Sequence, residues 1–248
     1  MALEITAAAR AELAPGGTLR IGLNMQNFLL VKRDPSSGAP AGIVPDLARE
    51  LARLSGLRHV FVEFETAGKL ADSARAGVWD VAFLAAEPTR ARDISFTPAY
   101  LEIEATCLVP AGSPIRGLDE VDRPGVRIAA AEKSAYDLYL SRTLKHATLV
   151  RTPGIDASYE RFVADGLDVL AGLKTRLVAD AEKLPGSRVL EGRFTAVQQA
   201  IGTPAGRGDA GVAWLGEFAA HAKASGLVAQ AIARHHVRGV SVAPGSQP

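Results

Sequence analysis

The chain has 248 residues, 48% of them hydrophobic, and carries 28 basic against 27 acidic residues for a formal net charge of +1. That length and apolar content suit one large or two small domains with a real core, and the near-neutral balance, with no recognition motif, argues against nucleic acid as a partner. The single cysteine, Cys107, excludes an intrachain disulfide framework and a cysteine-based metal site, and no apolar run reaches the length of a membrane span.

Residues 1–13 lack a basic start and a continuous apolar centre, and Glu4 interrupts them. They read as a short amphipathic helix stopped at Pro15-Gly16-Gly17, not as a signal peptide. Alternating apolar residues make 19–24 a first strand. A loop or hairpin follows, turning at 34–38. Leu47, Leu51 and Leu54 share one face of a helix that opens near Gly42 and ends at Gly56. Residues 59–64 read as a second strand, 66–76 as a second helix, and 81–84 as a short apolar third strand. Strands alternating with helices argue for parallel pairing with helical cover. Past the third strand the chain turns at Pro88, presents Arg90, and re-enters an extended run closing on Phe96-Thr97-Pro98-Ala99-Tyr100. An arginine beyond the carboxyl end of a strand sits where α/β sheets place ligands, and its guanidinium can hold a carboxylate through two parallel hydrogen bonds. An ordinary surface arginine has the same spacing.

Residues 100–110 form an unusually long extended run. A polar connector over 112–124 leads to a second α/β unit, with strands at 126–130, 146–150, 167–171 and 188–190 and helices at 135–145, 158–164 and 173–183. Ser134 is placed to cap the helix that carries Ala135, with Asp137 three residues on in a box-like position. Free amides at such a helix start make an anion site. Residues 194–202 return as another extended run, 209–225 form a final helix, and the Gly/Ser/Pro-rich tail from 237 is expected to fray. Cys107 lies in an apolar run and reads as a small buried hydrophobe. The adjacent pair His235 and His236 reads as a solvated tail.

The stretch from Gly77 to Tyr100 resembles the core signature of the periplasmic solute-binding proteins for polar amino acids, family 3, with the type II periplasmic-binding-protein fold. That signature reads Gly-x-x-Asp, an apolar strand, Thr-Pro-Glu-Arg, then Phe-Ser-x-Pro-Tyr. Gly77-Val78-Trp79-Asp80, Glu87-Pro88-Thr89-Arg90 and Phe96-Thr97-Pro98-Ala99-Tyr100 stand at its parts, which selects Arg90 over Arg92 as the key arginine. The segment from Asp80 to Arg90 is shorter than in the family, and Ala85 and Ala86 replace hydroxyl residues that flank the ligand carboxylate there. The resemblance covers most of the chain.

The resemblance implies an α/β fold in two lobes, each with a mixed sheet: residues 1–104 with 195–248, and 105–194. Two hinge crossings would join them, with a small polar ligand bound in the cleft. It implies transport with an ABC transporter permease as partner, a monomer, no cofactor or metal, and no catalysis. It implies a periplasmic location, while the lack of a signal peptide leaves the cytoplasm open. The candidate ligand contacts are Asn24, Asn27, Phe28, Glu87, Arg90, Ser134, Ala135, Tyr136 and Leu173. Amides suit a neutral polar group, and Tyr136 and Tyr139 either close over a ligand or simply pack. Ser134 matches the threonine that touches the ligand carboxylate from the second lobe. Leu173 falls where amino-acid binders carry an aspartate for the ligand's α-ammonium. A buried ammonium without such a partner is strongly disfavoured, so either Glu87 or Glu132 substitutes or the ligand is a carboxylate or amide without that amine. The alternatives are a ligand sensor and a cleft dehydratase resembling cyclohexadienyl or arogenate dehydratase, the latter needing a carboxylic general acid.

Overall fold

The protein is described by a computed structural model that places residues 3–245. It divides into two compact units, one formed by the residues up to 102 with those from 198 onward, the other by residues 103–197.

The first unit begins with α1 (Ala7–Leu13), whose N-cap Thr6 accepts a hydrogen bond from the Ala9 amide at 3.1 Å. The helix is thus shorter than the stretch read from sequence, and Met1 and Ala2 lie outside the described residues. There follow β1 (Thr18–Asn24), the two-stranded ribbon of β2 (Lys32–Arg33) and β3 (Pro40–Ala41), α2 (Ile43–Ser55), β4 (Arg58–Phe64), α3 (Ala67–Asp72), β5 (Val81–Ala85) and β6 (Ile94–Phe96). Along β1 the alternating Leu19, Ile21 and Leu23 are all fully buried. The apolar face of α2 buries Ile43, Leu47 and Leu51, and the helix stops at Gly56, whose left-handed backbone (φ 64°) lets its amide reach back to the last turn.

β1 pairs in parallel with β4 and with β5. Every residue of β5 is buried, as a strand covered on both faces requires. Gly22 on β1 is held to glycine by packing, since a Cβ there would lie 2.6 Å from the Leu70 side chain of α3. Leu70, Ala74, Trp79, Ala82, Leu84 and Ile94 form a continuous cluster beneath it.

The chain leaves this unit along β7 (Leu101–Val109). The second unit holds β8 (Arg127–Ala131), α4 (Ala135–Thr143), β9 (Thr148–Thr152), α5 (Ile155–Ala164), β10 (Val169–Leu173), α6 (Lys174–Ala181) and β11 (Arg188–Val189). Here β8 lies parallel to both β9 and β10, while β7 pairs antiparallel with β10 and β11. Leu108, Ala129, Phe162, Leu167, Leu170 and Leu177 make its core. Cys107 is buried on β7, and burial pushes its thiol up to about 12.

The chain returns along β12 (Thr195–Pro204), which runs antiparallel to β5 and to β6, so the sheet of the first unit is mixed. It ends with α7 (Asp209–Ala224), α8 (Leu227–Arg234) and β13 (Val240–Val242). The tail is therefore ordered where fraying was expected: the Ala243 amide donates to the Tyr100 carbonyl at 3.1 Å. Residues 246–248 of that tail lie outside the described residues. The histidine pair also divides. His235 packs with Nε2 2.9 Å from Asp46 Oδ2 on α2, while His236 remains exposed.

One carboxylate ties the first unit together. Asp80, 1% exposed, precedes β5. Its Oδ2 accepts from the Arg20 amide and from Arg20 Nε, both at 2.9 Å, and its Oδ1 accepts from Arg20 Nη2 at 2.7 Å and from Arg207. Thr203 on β12 donates to the Asp80 carbonyl at 2.9 Å. Burial by itself would raise the carboxyl pKa, but the hydrogen bonds from Arg20 and Arg207 outweigh it and hold the group below its ordinary value.

Asp80→Ala should therefore destabilise the chain by about 3–5 kcal/mol in urea denaturation, because two guanidinium groups lose their buried counter-charge. The depressed pKa also sets a pH dependence. The stabilisation is present above the unfolded value, about 3.9, and is lost as pH falls from there through the lower folded value. An acid titration of stability should lose part of its slope below about pH 4 in Asp80→Ala.

Candidate functional site

In the first unit the candidate residues lie at the carboxyl ends of two adjacent parallel strands, β1 and β5. Asn24 is the last residue of β1, and its Oδ1 accepts from the Gln26 amide at 3.2 Å, fixing the start of the following loop. Asn27 continues that turn by donating its amide to Asn24 O at 3.2 Å. Its side-chain Oδ1 is buried without a hydrogen-bond partner, an arrangement that is uncommon in folded proteins. Phe28 is exposed.

Beyond β5 the chain turns through Glu87, whose carbonyl accepts from the amides of Arg90 and Ala91 at 2.9 and 3.0 Å. Arg90 opens a 3-10 turn over Arg90–Arg92. Its side chain is not presented on the surface, as an arginine in a turn would ordinarily be. It is 5% exposed and folds back so that Nη1 donates to the Ala85 carbonyl, the last of β5, at 2.9 Å. Burial lowers its pKa to about 10, against the opposing attraction of Glu87 and Asp72, so it remains a cation at neutral pH. Glu87 is likewise buried. Ala85 and Ala86 carry only methyl groups and offer no side-chain donor; Ala85 is buried, and Ala86 donates its amide to Gln198 O at 2.9 Å.

In the second unit the candidates lie at the carboxyl ends of β8 and β10, which are parallel neighbours. A turn after β8 carries Lys133 in the left-handed region, with φ 56°, a conformation uncommon outside glycine, asparagine and aspartate. Ser134 then caps α4, its Oγ accepting from the Asp137 amide at 3.1 Å. The box is not closed in the usual way. The Asp137 carboxylate accepts from the Lys133 amide, one residue before the cap, at 2.9 Å, and from Arg151 Nε at 2.9 Å. Ala135 and Tyr136 are buried. Burial pushes the Tyr136 phenol up to about 12, partly countered by a side-chain hydrogen bond with Ser134. Tyr139 packs on Phe194 with ring centroids 5.7 Å apart, so its ring is occupied in packing.

Leu173 is the last residue of β10, two positions later than the strand end read from sequence, and is 8% exposed. Directly after it, Lys174 Nζ donates to Glu104 Oε2 at 2.8 Å, and Arg193 lies 3.9 Å from the same carboxylate. This cluster was not apparent from sequence, because Lys174 and Glu104 stand 70 residues apart. Glu132 is exposed. Among the described residues no group of three or more His, Cys, Asp or Glu could hold a metal ion, and no helix is long and apolar enough to cross a membrane.

The element order and mixed sheets are those of the type II periplasmic-binding-protein class. Residues 19–237 match the model of the bacterial extracellular solute-binding proteins, family 3. The chain belongs to that family. Comparison with curated protein sequences gives no match. Among solved structures, the chain is similar to the solute receptor for L-cysteine of Neisseria gonorrhoeae, with TM-score 0.75 and 20% identity over 94% of this chain and 96% of that one. It is similar to a putative binding component of an ABC transporter from Wolinella succinogenes, complexed with lysine, with TM-score 0.73 and 20% identity over 89% and 96%. A histidine kinase sensor domain with similarity to periplasmic binding proteins gives TM-score 0.73 and 22% identity over 91% and 98%. These likenesses establish the shared fold.

The Ser134 cap is testable by itself. Ser134→Ala should cost about 1 kcal/mol of stability, read as a lower urea midpoint at unchanged m-value.

Proposed function

We propose that this chain is the ligand-capturing component of an ABC-type uptake system working in the periplasm, and that it holds a small polar ligand between its two units. Membership of the family, over residues 19–237, is the observation that carries this reading. In this proposal Arg90 supplies the positive charge from the first unit, and the helix start at Ser134 and Ala135 supplies amides from the second. The ligand would favour the closed arrangement because it touches both units at once. β7 and β12, which carry the chain out and back, would serve as the hinge.

The ligand class follows from the same residues. Arg90 keeps its charge, whereas Leu173 supplies an apolar wall where an acidic partner for an α-ammonium would stand. Such a site favours a small carboxylate over its α-amino counterpart, since an ammonium would be desolvated without compensation. Glu87 is the residue able to reverse that preference.

Arg90→Ala should lower affinity by about a hundredfold or more, as expected for removing one partner of a buried charge pair, while Arg92→Ala should leave it nearly unchanged. A thermal-shift screen across amino acids, carboxylates and amides would identify the ligand, since binding to the folded state raises Tm. Calorimetry would then compare matched pairs, each an amino acid and its keto or hydroxy analogue. Tighter binding of the amino acid, abolished in Glu87→Gln, would overturn the carboxylate preference and place the charge partner at Glu87.

A further inference from the structure

Arg92 stands two residues from Arg90 but belongs to the opposite end of the sheet. On β12, Gln199 pairs with Ala85 and Pro204 pairs with Ile94. Those two points are about 17 Å apart at the rise of a strand. The Arg90 guanidinium binds at the Ala85 end, whereas Arg92 and Asp93 immediately precede Ile94 at the Pro204 end.

At that second end lies a cavity of about 390 Å³, entirely within the first unit, whose charged lining residues are Arg75, Arg92, Asp93 and Arg207. Gly77 and Gly206 also line it and contribute no side chain to fill it. The charges do not balance. Arg75 donates from Nε to Asp93 Oδ1 at 2.5 Å. Arg207 binds Asp80, but that carboxylate already serves Arg20, so two guanidinium groups share one negative charge. Arg92 is exposed and, among the described residues, has no acidic group within ion-pair distance. Three guanidinium groups and one carboxylate thus line the concave surface, which leaves a two-charge excess there, and the one charge of Asp80, which does not line it, is divided between Arg207 and Arg20. Guanidinium forks match the oxygens of phosphates and carboxylates, and low-dielectric walls concentrate the field inside a cleft.

We propose that this pocket is a second ligand site, taking a small anion with two or more negative charges, separate from any ligand held at Arg90. Phosphate and polycarboxylate ligands share this chemistry, so the test has an arm for each.

Inorganic pyrophosphate would be titrated into the full chain by calorimetry at low ionic strength, with citrate and acetate in parallel. One saturable site for pyrophosphate or citrate is expected, with acetate much weaker. Arg92→Glu should weaken it by about tenfold or more, while Arg116→Glu, an exposed arginine of the other unit, should not. Thermal unfolding of both variants checks that the fold is retained. The proposal is overturned if no anion saturates, if acetate binds as tightly as pyrophosphate, or if Arg116→Glu weakens binding as much as Arg92→Glu. It is equally overturned if Arg90→Ala abolishes pyrophosphate binding and Arg92→Glu does not, since the anion would then occupy the other end of the sheet.

Discussion

The buried carboxylate of Asp80 sets the frame of the first unit. It joins β1 through Arg20, the approach to β5 through its own backbone, and the segment after β12 through Arg207. These three pieces come from distant parts of the sequence. A desolvated charge with several donors adds to what packing does for their register, because a shift by one residue would strand it. The Thr203 hydroxyl bound to the Asp80 carbonyl adds a second point of registration on the same strand pair. Both ends of β5 inherit their geometry from this anchor: the Arg90 turn at one, the arginine-lined pocket at the other.

The burial of Arg90 has an electrostatic consequence. A guanidinium so enclosed is poorly hydrated, and that lost solvation lowers its pKa to about 10. An anion reaching it would meet a charge little screened by water. The turn that holds it is shaped by backbone amides that donate to Glu87 O, and the side chain is steered by donating to Ala85 O. Main-chain carbonyls thus take part in positioning the arginine. On the other unit the cap at Ser134 is likewise fixed by backbone amides and by Asp137, which Arg151 holds from β9.

Much of this was legible in the sequence because it depends on local rules. The alternation in β1 and the glycine that ends α2 each name their own structure, whereas the Gly-x-x-Asp stretch before β5 is read from its resemblance to the family signature. The Ser134 cap is equally local, since hydroxyl and amide stand three residues apart. What escaped depends on partners distant in the chain. The helix Leu227–Arg234 buries only Val228 and Ala231, too narrow an apolar face to stand out, and it is held by packing on α2 and by His235 bound to Asp46. The strand Val240–Val242 lies between glycine and proline, which read as tail signals, and the neighbouring Ala243 amide finds its partner at Tyr100. The ion pair of Lys174 with Glu104 is a tertiary fact without local trace, since the two stand 70 residues apart.

Cys107 is the one thiol in the chain, and its place in the core of β7 keeps it protonated and shielded. For chemical labelling the native protein is accordingly a blank. A cysteine introduced on either unit would react alone with a maleimide dye, and one on each would report the distance between the units by energy transfer. The closure put forward above is thus open to an optical test without first removing any native residue.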